Sequence, residues 1–242
     1  MKISRYRIPA NVKKPYRLAL IADLHDRDGE PVLTAFERDK PDAVLIAGDL
    51  TNNNSPEAKL CWKKFLSRSA AIAPSFYSLG NHEFNFDDND IASVKESGAV
   101  LLLDEYVHFG ELCIGGLRSR TKYRRFPEGR SSIAPHCDWL TDFEAQPGFK
   151  ILLSHHPEYY EPYLKDRNID LILSGHAHGG QMRLFGHGLF APGQGVLPKY
   201  THGLHDGRFI ISTGLCNSVS WVPRFGNPKE LVYIELKNTA DR

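Results

Sequence analysis

Five short, mostly apolar runs punctuate the chain, at residues 18–22, 43–47, 76–79, 150–154 and 171–174. A run of this length bounded by polar residues reads as a strand covered on both faces. Residues 2–8 instead alternate polar and apolar side chains, as in an edge strand with one buried face, and Pro9 and Pro15 bracket the connection to the next strand. Between these runs the period lengthens. Residues 31–39 have helical character, and 57–73 read as a long helix with Leu60, Cys61, Phe65 and Ile72 near one stripe. Residues 88–97 read as a helix that Gly98 ends. Segments 99–103, 106–109 and 112–117 read as short strands, the latter two forming a hairpin, and 139–145 and 158–167 as helices. Residues 179–205, rich in Gly, Pro and His, read as a long loop, before closing strands at 208–212 and 231–236. The alternation predicts a layered α/β domain with a sheet core, and the length favours one domain spanning residues 1–242.

The residues just past each apolar run carry the chemistry. Within about two residues of the run's end stand Asp23 and His25, then Asp49, then Asn81 and His82, then His155, then His176 and His178. Residues i and i+2 of a strand share a face, so Asp23 and His25 can address one ion. Parallel strands lying side by side bring their carboxyl ends to one crevice, where α/β folds bind their ligands. Carboxylate, amide oxygen and imidazole without thiolate suit Mn, Fe, Zn or Co rather than calcium or structural zinc. The set exceeds what one ion needs, and two ions sharing a carboxylate fit it better. A two-metal site clamps the attacking and leaving oxygens of an in-line displacement at phosphorus.

Bulk properties narrow the setting. The formal net charge is +1, which provides no global field for nucleic acid or an anionic membrane. No apolar run reaches the length of a membrane span, and the first residues lack the apolar middle of a signal peptide, so the expectation is a cytoplasmic protein without a stable membrane anchor or an obligate protein partner. The four cysteines (Cys61, Cys113, Cys137 and Cys216) have neither zinc-finger nor redox spacing and read as reduced, mostly buried thiols. Asn53, Asn54 and Ser55 match a glycosylation acceptor but read as a loop.

Taken in order, Asp23 and His25, Gly48 and Asp49, Gly80 through Glu83, His155, and Gly175 through His178 resemble the motif set of the calcineurin-like metallophosphoesterases. Residues 175–181 and 223–228 further resemble a subgroup of bacterial phosphodiesterases of the YkuE/YaeI type. The resemblance implies a four-layer sandwich, two mixed sheets packed face to face and flanked by helices. It implies two divalent or trivalent transition-metal ions (Mn, Fe or Zn). Asp23, His25 and His178 would hold one, Asn81, His155 and His176 the other, and Asp49 would bridge them. A bridging hydroxide would attack phosphorus, with His82 stabilising the transition state or protonating the leaving oxygen. The implied activity is a dimetal phosphoesterase acting on a small phosphorylated substrate, with a phosphodiester favoured over a monoester. Alternatives are a non-catalytic scaffold of the same fold and a nuclease for short or cyclic nucleotides; extended nucleic acid is disfavoured by the near-neutral charge. Related enzymes cleave lipid-linked nucleotide sugars, and many subgroup members begin with a membrane segment that this sequence lacks, which weighs against a lipid substrate.

Lesser candidates are mostly read as support. His156 is expected to point away from His155, and Glu83 to orient a ligand or start a helix. The basic stretch with Arg118, Arg120, Lys122, Arg124 and Arg125, interleaved with Tyr123 and Phe126, reads as a solvated loop. His187, His202 and His205 sit in a segment that can form a rim over the site. Trp221, Pro223, Arg224 and Phe225 read as packing behind the site, and Asp26 and Asp28 as loop acids.

Overall fold

The computed structural model describes residues 1–53, 55–120, 134–217 and 223–238. Its elements run β1 (Lys2–Ala10), β2 (Tyr16–Ile21), α1 (Glu30–Asp39), β3 (Ala43–Ala47), α2 (Pro56–Ile72), β4 (Ser75–Ser78), α3 (Asp88–Glu96), β5 (Val100–Leu102), β6 (Glu105–Phe109) and β7 (Leu112–Leu117). Then come α4 (Leu140–Ala145), β8 (Phe149–Ser154) and β9 (Leu171–Ser174). Four two-residue strands are next: β10 (Arg183–Leu184), β11 (His187–Gly188), β12 (Phe190–Ala191) and β13 (Gly195–Val196). The chain closes with β14 (Gly203–His205), β15 (Phe209–Ile211) and β16 (Glu230–Asn238).

Two six-stranded sheets form the body, in the orders β1-β16-β2-β3-β4-β5 and β14-β15-β9-β8-β7-β6. In the first, β2, β3, β4 and β5 run parallel; in the second, β7, β8, β9 and β15 do. The short apolar runs are the central strands, and their all-apolar character has a simple cause. Leu18, Leu20 and Leu45 meet Ile151, Leu153 and Leu173 between the sheets. The intervening residues Ala19, Ile21, Val44 and Ile46 face α1, α2 and α3, and Leu152 and Ile172 pack under α4 and the turns after β8. Helices, sheet, sheet and helices therefore stack as four layers, the arrangement that the motif resemblance implies.

Three details differ from what the sequence pattern predicts. The buried stripe of α2 is Ala58, Trp62, Phe65, Leu66 and Ser69, whereas Leu60 and Cys61 are exposed. Trp62 sets that rotation: its ring is fully buried and stacks on Phe86 at 5.1 Å. Residues 158–167 form no α-helix but a 3₁₀ turn (Pro157–Tyr159) and one π turn (Tyr160–Leu164). That irregular path buries the adjacent rings of Tyr159 and Tyr160 together, and the Arg208 guanidinium takes up the carbonyls of Leu164, Lys165, Arg167 and Ile169 at its end. The segment 179–205 is an ordered ribbon of short hairpins rather than a plain loop. No helix among the described residues is long and apolar enough to cross a membrane.

Candidate metal centre

β2, β3 and β4 are neighbours in one sheet, β8 and β9 in the other, and their carboxyl ends meet. All seven expected ligands arrive there buried. Ligand atoms of Asp23, His25 and His178 lie within 4.8 Å of one another, as do those of Asp49, His155 and His176. Asn81 joins the second group, its Oδ1 standing 3.1 Å from His155 Nε2. Asp49 also groups with His25 and His82, so its carboxylate lies between the two triads. His156, Glu158 and His176 form a further cluster of the same kind.

The residues fit metal ions on their own chemistry. Asp49 Oδ2 is buried and accepts no well-directed hydrogen bond, although Nε2 of His155, His25 and His82 stand 3.1, 3.8 and 3.9 Å away. A buried carboxylate oxygen ringed by imidazole nitrogens is costly unless a cation satisfies it. The imidazoles are held for the task from behind. His155 Nδ1 donates to Ala47 O at 2.7 Å and His178 Nδ1 to Cys216 O at 3.0 Å, which turns each Nε2 toward the crevice. Burial lowers His25 and His178 to about 4, and lowers His176 as well, so these rings present lone pairs rather than protons near neutrality. His155 behaves differently: burial opposes its charge, but the adjacent Asp49 carboxylate outweighs it and pushes the ring up to about 10. In the metal-free protein a proton on His155 thus stands where a cation belongs.

The backbone at these strand ends is unusual. Asp23, His25, Asp49, His176 and His178 all have φ between 45° and 63°, the left-handed region that Asp, Asn and His enter more readily than other non-glycine residues. Cross-strand bonds fix the turns: Asp23 N–H donates to Gly48 O and His25 N–H to Asp49 O, both at 3.1 Å. Glycines make room for the carboxylates. A Cβ on Gly80 would stand 2.1 Å from Asp49 Oδ1, and one on Gly175 2.5 Å from Ala22 Cβ. Gly214, which no sequence motif marks, has φ +73°, and a Cβ there would fall 2.7 Å from Asp23 Oδ2. Gly214→Ala is expected to displace Asp23, to cost about 1–3 kcal/mol of stability, and to lower metal content measured on purified protein; unchanged metal content would show that Asp23 is not confined by this glycine.

Several supporting residues now have defined contacts. Glu83 is fully buried and accepts from the backbone N–H groups of Gly80, Asp49 and Thr51 at 2.7, 3.0 and 3.2 Å, so it orients the loops carrying Asn81 and Asp49. Burial and the Asp49 charge raise Glu83 to about 7. His156 is buried, bonds Ser119 Oγ at 2.7 Å and Glu158 at 3.1 Å, and lies against the His176 ring at 4.4 Å. Glu158, which the sequence did not single out, approaches His176 Nε2 at 3.7 Å. Asn227 Nδ2 donates to His178 O and Gln181 O, and Arg224 donates to Thr213 O and Cys216 O, so segment 223–228 braces the His178 turn. Asp26 accepts from Asn52 N–H and Asp28 from Glu30 N–H, as loop acids. His187, His202 and His205 enter none of the ligand groups among the described residues. Arg120 pairs with Asp104; Lys122, Tyr123, Arg124, Arg125, Phe126 and Trp221 lie outside the described residues.

A calcineurin-like phosphoesterase family model matches residues 16–180, and the chain belongs to that family, whose members depend on two metal ions. The chain is 29% identical over 242 residues to the uncharacterized metallophosphoesterase Cj0846 of Campylobacter jejuni, covering 94% of this chain and 60% of that protein. It is 26% identical over 182 residues to the phosphodiesterase YaeI of Escherichia coli, covering 70% of this chain and 63% of YaeI. The chain thus spans about 60% of the length of these curated relatives. Among solved structures, a dimetal phosphatase of Danio rerio superposes with TM-score 0.50 at 11% identity, over 82% of this chain and 87% of that one, and supports the fold.

Proposed function

We propose that this protein is a dimetal phosphohydrolase that prefers phosphodiesters to phosphomonoesters. The observation that carries the reading is Asp49, whose carboxylate belongs to two ligand groups at once. In this reading Asp23, His25 and His178 would hold one ion and Asn81, His155 and His176 the other, with Asp49 available to both. Two such ions, Mn, Fe or Zn by ligand chemistry, would polarise the phosphoryl group and lower the pKa of water toward neutrality. The chain's own residues do the rest. His82 is only part-buried, and its Nδ1 donates to Asn52 O at 2.9 Å, which aims Nε2 at the crevice mouth. Burial disfavours its charge, but Asp49 and the Asn52 carbonyl raise its pKa, which suits a proton donor to the leaving oxygen. A depression of about 320 Å³ beside His25, lined by Arg27, Asn52, Asn53 and Ser55, offers room for the rest of a small substrate.

The diester preference draws on the likeness to YaeI, named a phosphodiesterase. Purified protein loaded in turn with Mn, Fe or Zn is expected to hydrolyse bis(p-nitrophenyl) phosphate faster than p-nitrophenyl phosphate. Faster monoester turnover would overturn the diester preference; no hydrolysis of either by protein carrying two ions would overturn the enzymatic reading.

A further inference from the structure

Four histidines of the crevice turn the same atom inward. Nε2 of His25, His82, His155 and His178 each stands between 3.1 and 3.9 Å from a carboxylate oxygen of Asp23 or Asp49. His176 is oriented differently. Its Nε2 stands 3.7 Å from Oε1 of Glu158 instead, while the ring still lies within ligand reach of Asp49 and His155. An imidazole has two nitrogens, so a ring that turns Nε2 toward Glu158 has Nδ1 left for the crevice.

The surroundings of Glu158 confine it in that place. The 3₁₀ turn Pro157–Tyr159 carries it just past β8. Its Oε1 accepts from His156 Nδ1 at 3.1 Å. His156 is itself anchored: its Nε2 bonds Ser119 Oγ at 2.7 Å, and its ring lies 4.4 Å from that of His176 and 4.8 Å from that of Tyr159. From the other side the ribbon closes at Gly193, where φ is +73° and a Cβ would stand 2.1 Å from Glu158 Oε1. A larger residue at position 193 would push the carboxylate out.

One oxygen of this carboxylate still lacks a donor. Oε2 of Glu158 is buried and has no hydrogen-bond partner. A carboxylate only accepts, and a buried oxygen left unpaired is costly. The Nε2–H of His176 is the donor at hand. Shortening its approach by less than about 1 Å makes it a hydrogen bond. The choice of atom matters for metal binding, because a neutral imidazole carries one N–H and one lone pair. A proton held on Nε2 frees the Nδ1 lone pair, whereas the other tautomer would set a proton against the ion.

We propose that Glu158 is the positioning residue of His176: its carboxylate accepts from Nε2–H, fixes the ring, and leaves Nδ1 to the metal ion that His176 shares with Asn81 and His155. The inference rests on the two-ion reading above, in which His176 is a ligand. It gives the cluster of His156, Glu158 and His176 a purpose other than holding an ion of its own. His155 and His178 are set by backbone carbonyls, through Nδ1. His176 is set by a side chain, through the opposite nitrogen, so one substitution can loosen it alone.

The test is titration of metal-free protein with zinc in competition with a chromogenic chelator, comparing wild type with Glu158→Gln. Gln fills the same space but replaces a charged acceptor with a neutral amide, so a role in packing alone would leave both affinities unchanged. Wild type is expected to take up two ions. The variant should bind one as tightly as wild type and the other about 10–100-fold more weakly. Two unchanged affinities would overturn the inference and leave the two-ion reading standing. Equal weakening of both ions would also overturn it, since Glu158 would then support the whole crevice rather than His176. A third zinc in wild type that the variant lacks would make the cluster an ion site and overturn the positioning role. A wild-type protein that holds fewer than two ions would overturn the two-ion reading itself, and this inference with it.

Discussion

Asp49→Ala is expected to reduce metal content from two ions to at most one and to cut phosphoester turnover by roughly 10³-fold or more. Asp49 has a larger predicted effect than the other ligands because its carboxylate groups with His155 and His176 on one side and with His25 and His82 on the other. Its Oδ2 faces three imidazole Nε2 atoms, at 3.1 Å from His155 and 3.8 and 3.9 Å from His25 and His82, and its Oδ1 accepts from His82 N–H at 3.0 Å. Without it, two cations held close together would lack the anion that offsets their repulsion. The fold should survive, since the strand β3 that carries this turn is held by Leu45 between the sheets and by Val44 and Ile46 beneath the helices. Metal-free protein should unfold at a lower temperature, because the buried His155 ring that Asp49 holds protonated at 3.1 Å loses its partner. Added Mn should no longer raise the midpoint as a bound ligand does for wild type. A variant that still carries two ions and still shows the metal-dependent shift would exclude Asp49 as the bridge.

His82→Ala should separate catalysis from metal binding. The expected loss in kcat is about 10²–10⁴-fold, the range for removing a positioned general acid, with metal content unchanged at two ions. The ring is the most exposed histidine at the crevice, its side chain 19% accessible against 7% for His25 and 0% for His155. Its Nδ1 is committed to Asn52 O, so Nε2 carries a proton to donate only when the ring is cationic. Wild-type rates should therefore fall on the alkaline side as His82 loses its proton, and the variant should lack that limb. Loss of one metal along with activity would make His82 a ligand instead, in the group it forms with His25 and Asp49. A wild-type protein as inert as the variant would favour a scaffold with a metal-binding core.

The ligand set is legible in the sequence because of where it falls. Asp23, Asp49, Asn81, His155 and His176 each come just after a strand that apolar composition alone marks, and parallel strands bring such ends together. Three features cannot be read in the same way. Gly214 acts by lacking a side chain, clearing space for Asp23 from a stretch with no motif of its own. Glu158 reaches His176 only because residues 157–164 wind as 3₁₀ and π turns, a path fixed by burying Tyr159 and Tyr160 against the second sheet. A stripe through Leu60 and Cys61 omits Trp62, yet that ring dictates which face of α2 turns inward. Segment 223–228 stands out by resemblance, and its purpose is visible in the bonds from Asn227 and Arg224 to the His178 turn.

The left-handed backbone at Asp23, His25, Asp49, His176 and His178 also bears on how this centre can change over generations. The residues that tolerate that conformation best, apart from glycine, are Asp, Asn and His, and these are also oxygen and nitrogen ligands for the same group of metals. Their codons differ only in the first base. A single nucleotide change can exchange one ligand for another at any of these five positions while leaving the turn intact. Most other substitutions lose both the ligand and the turn. Metal preference in this crevice is therefore open to gradual drift, whereas the shape of the crevice is not.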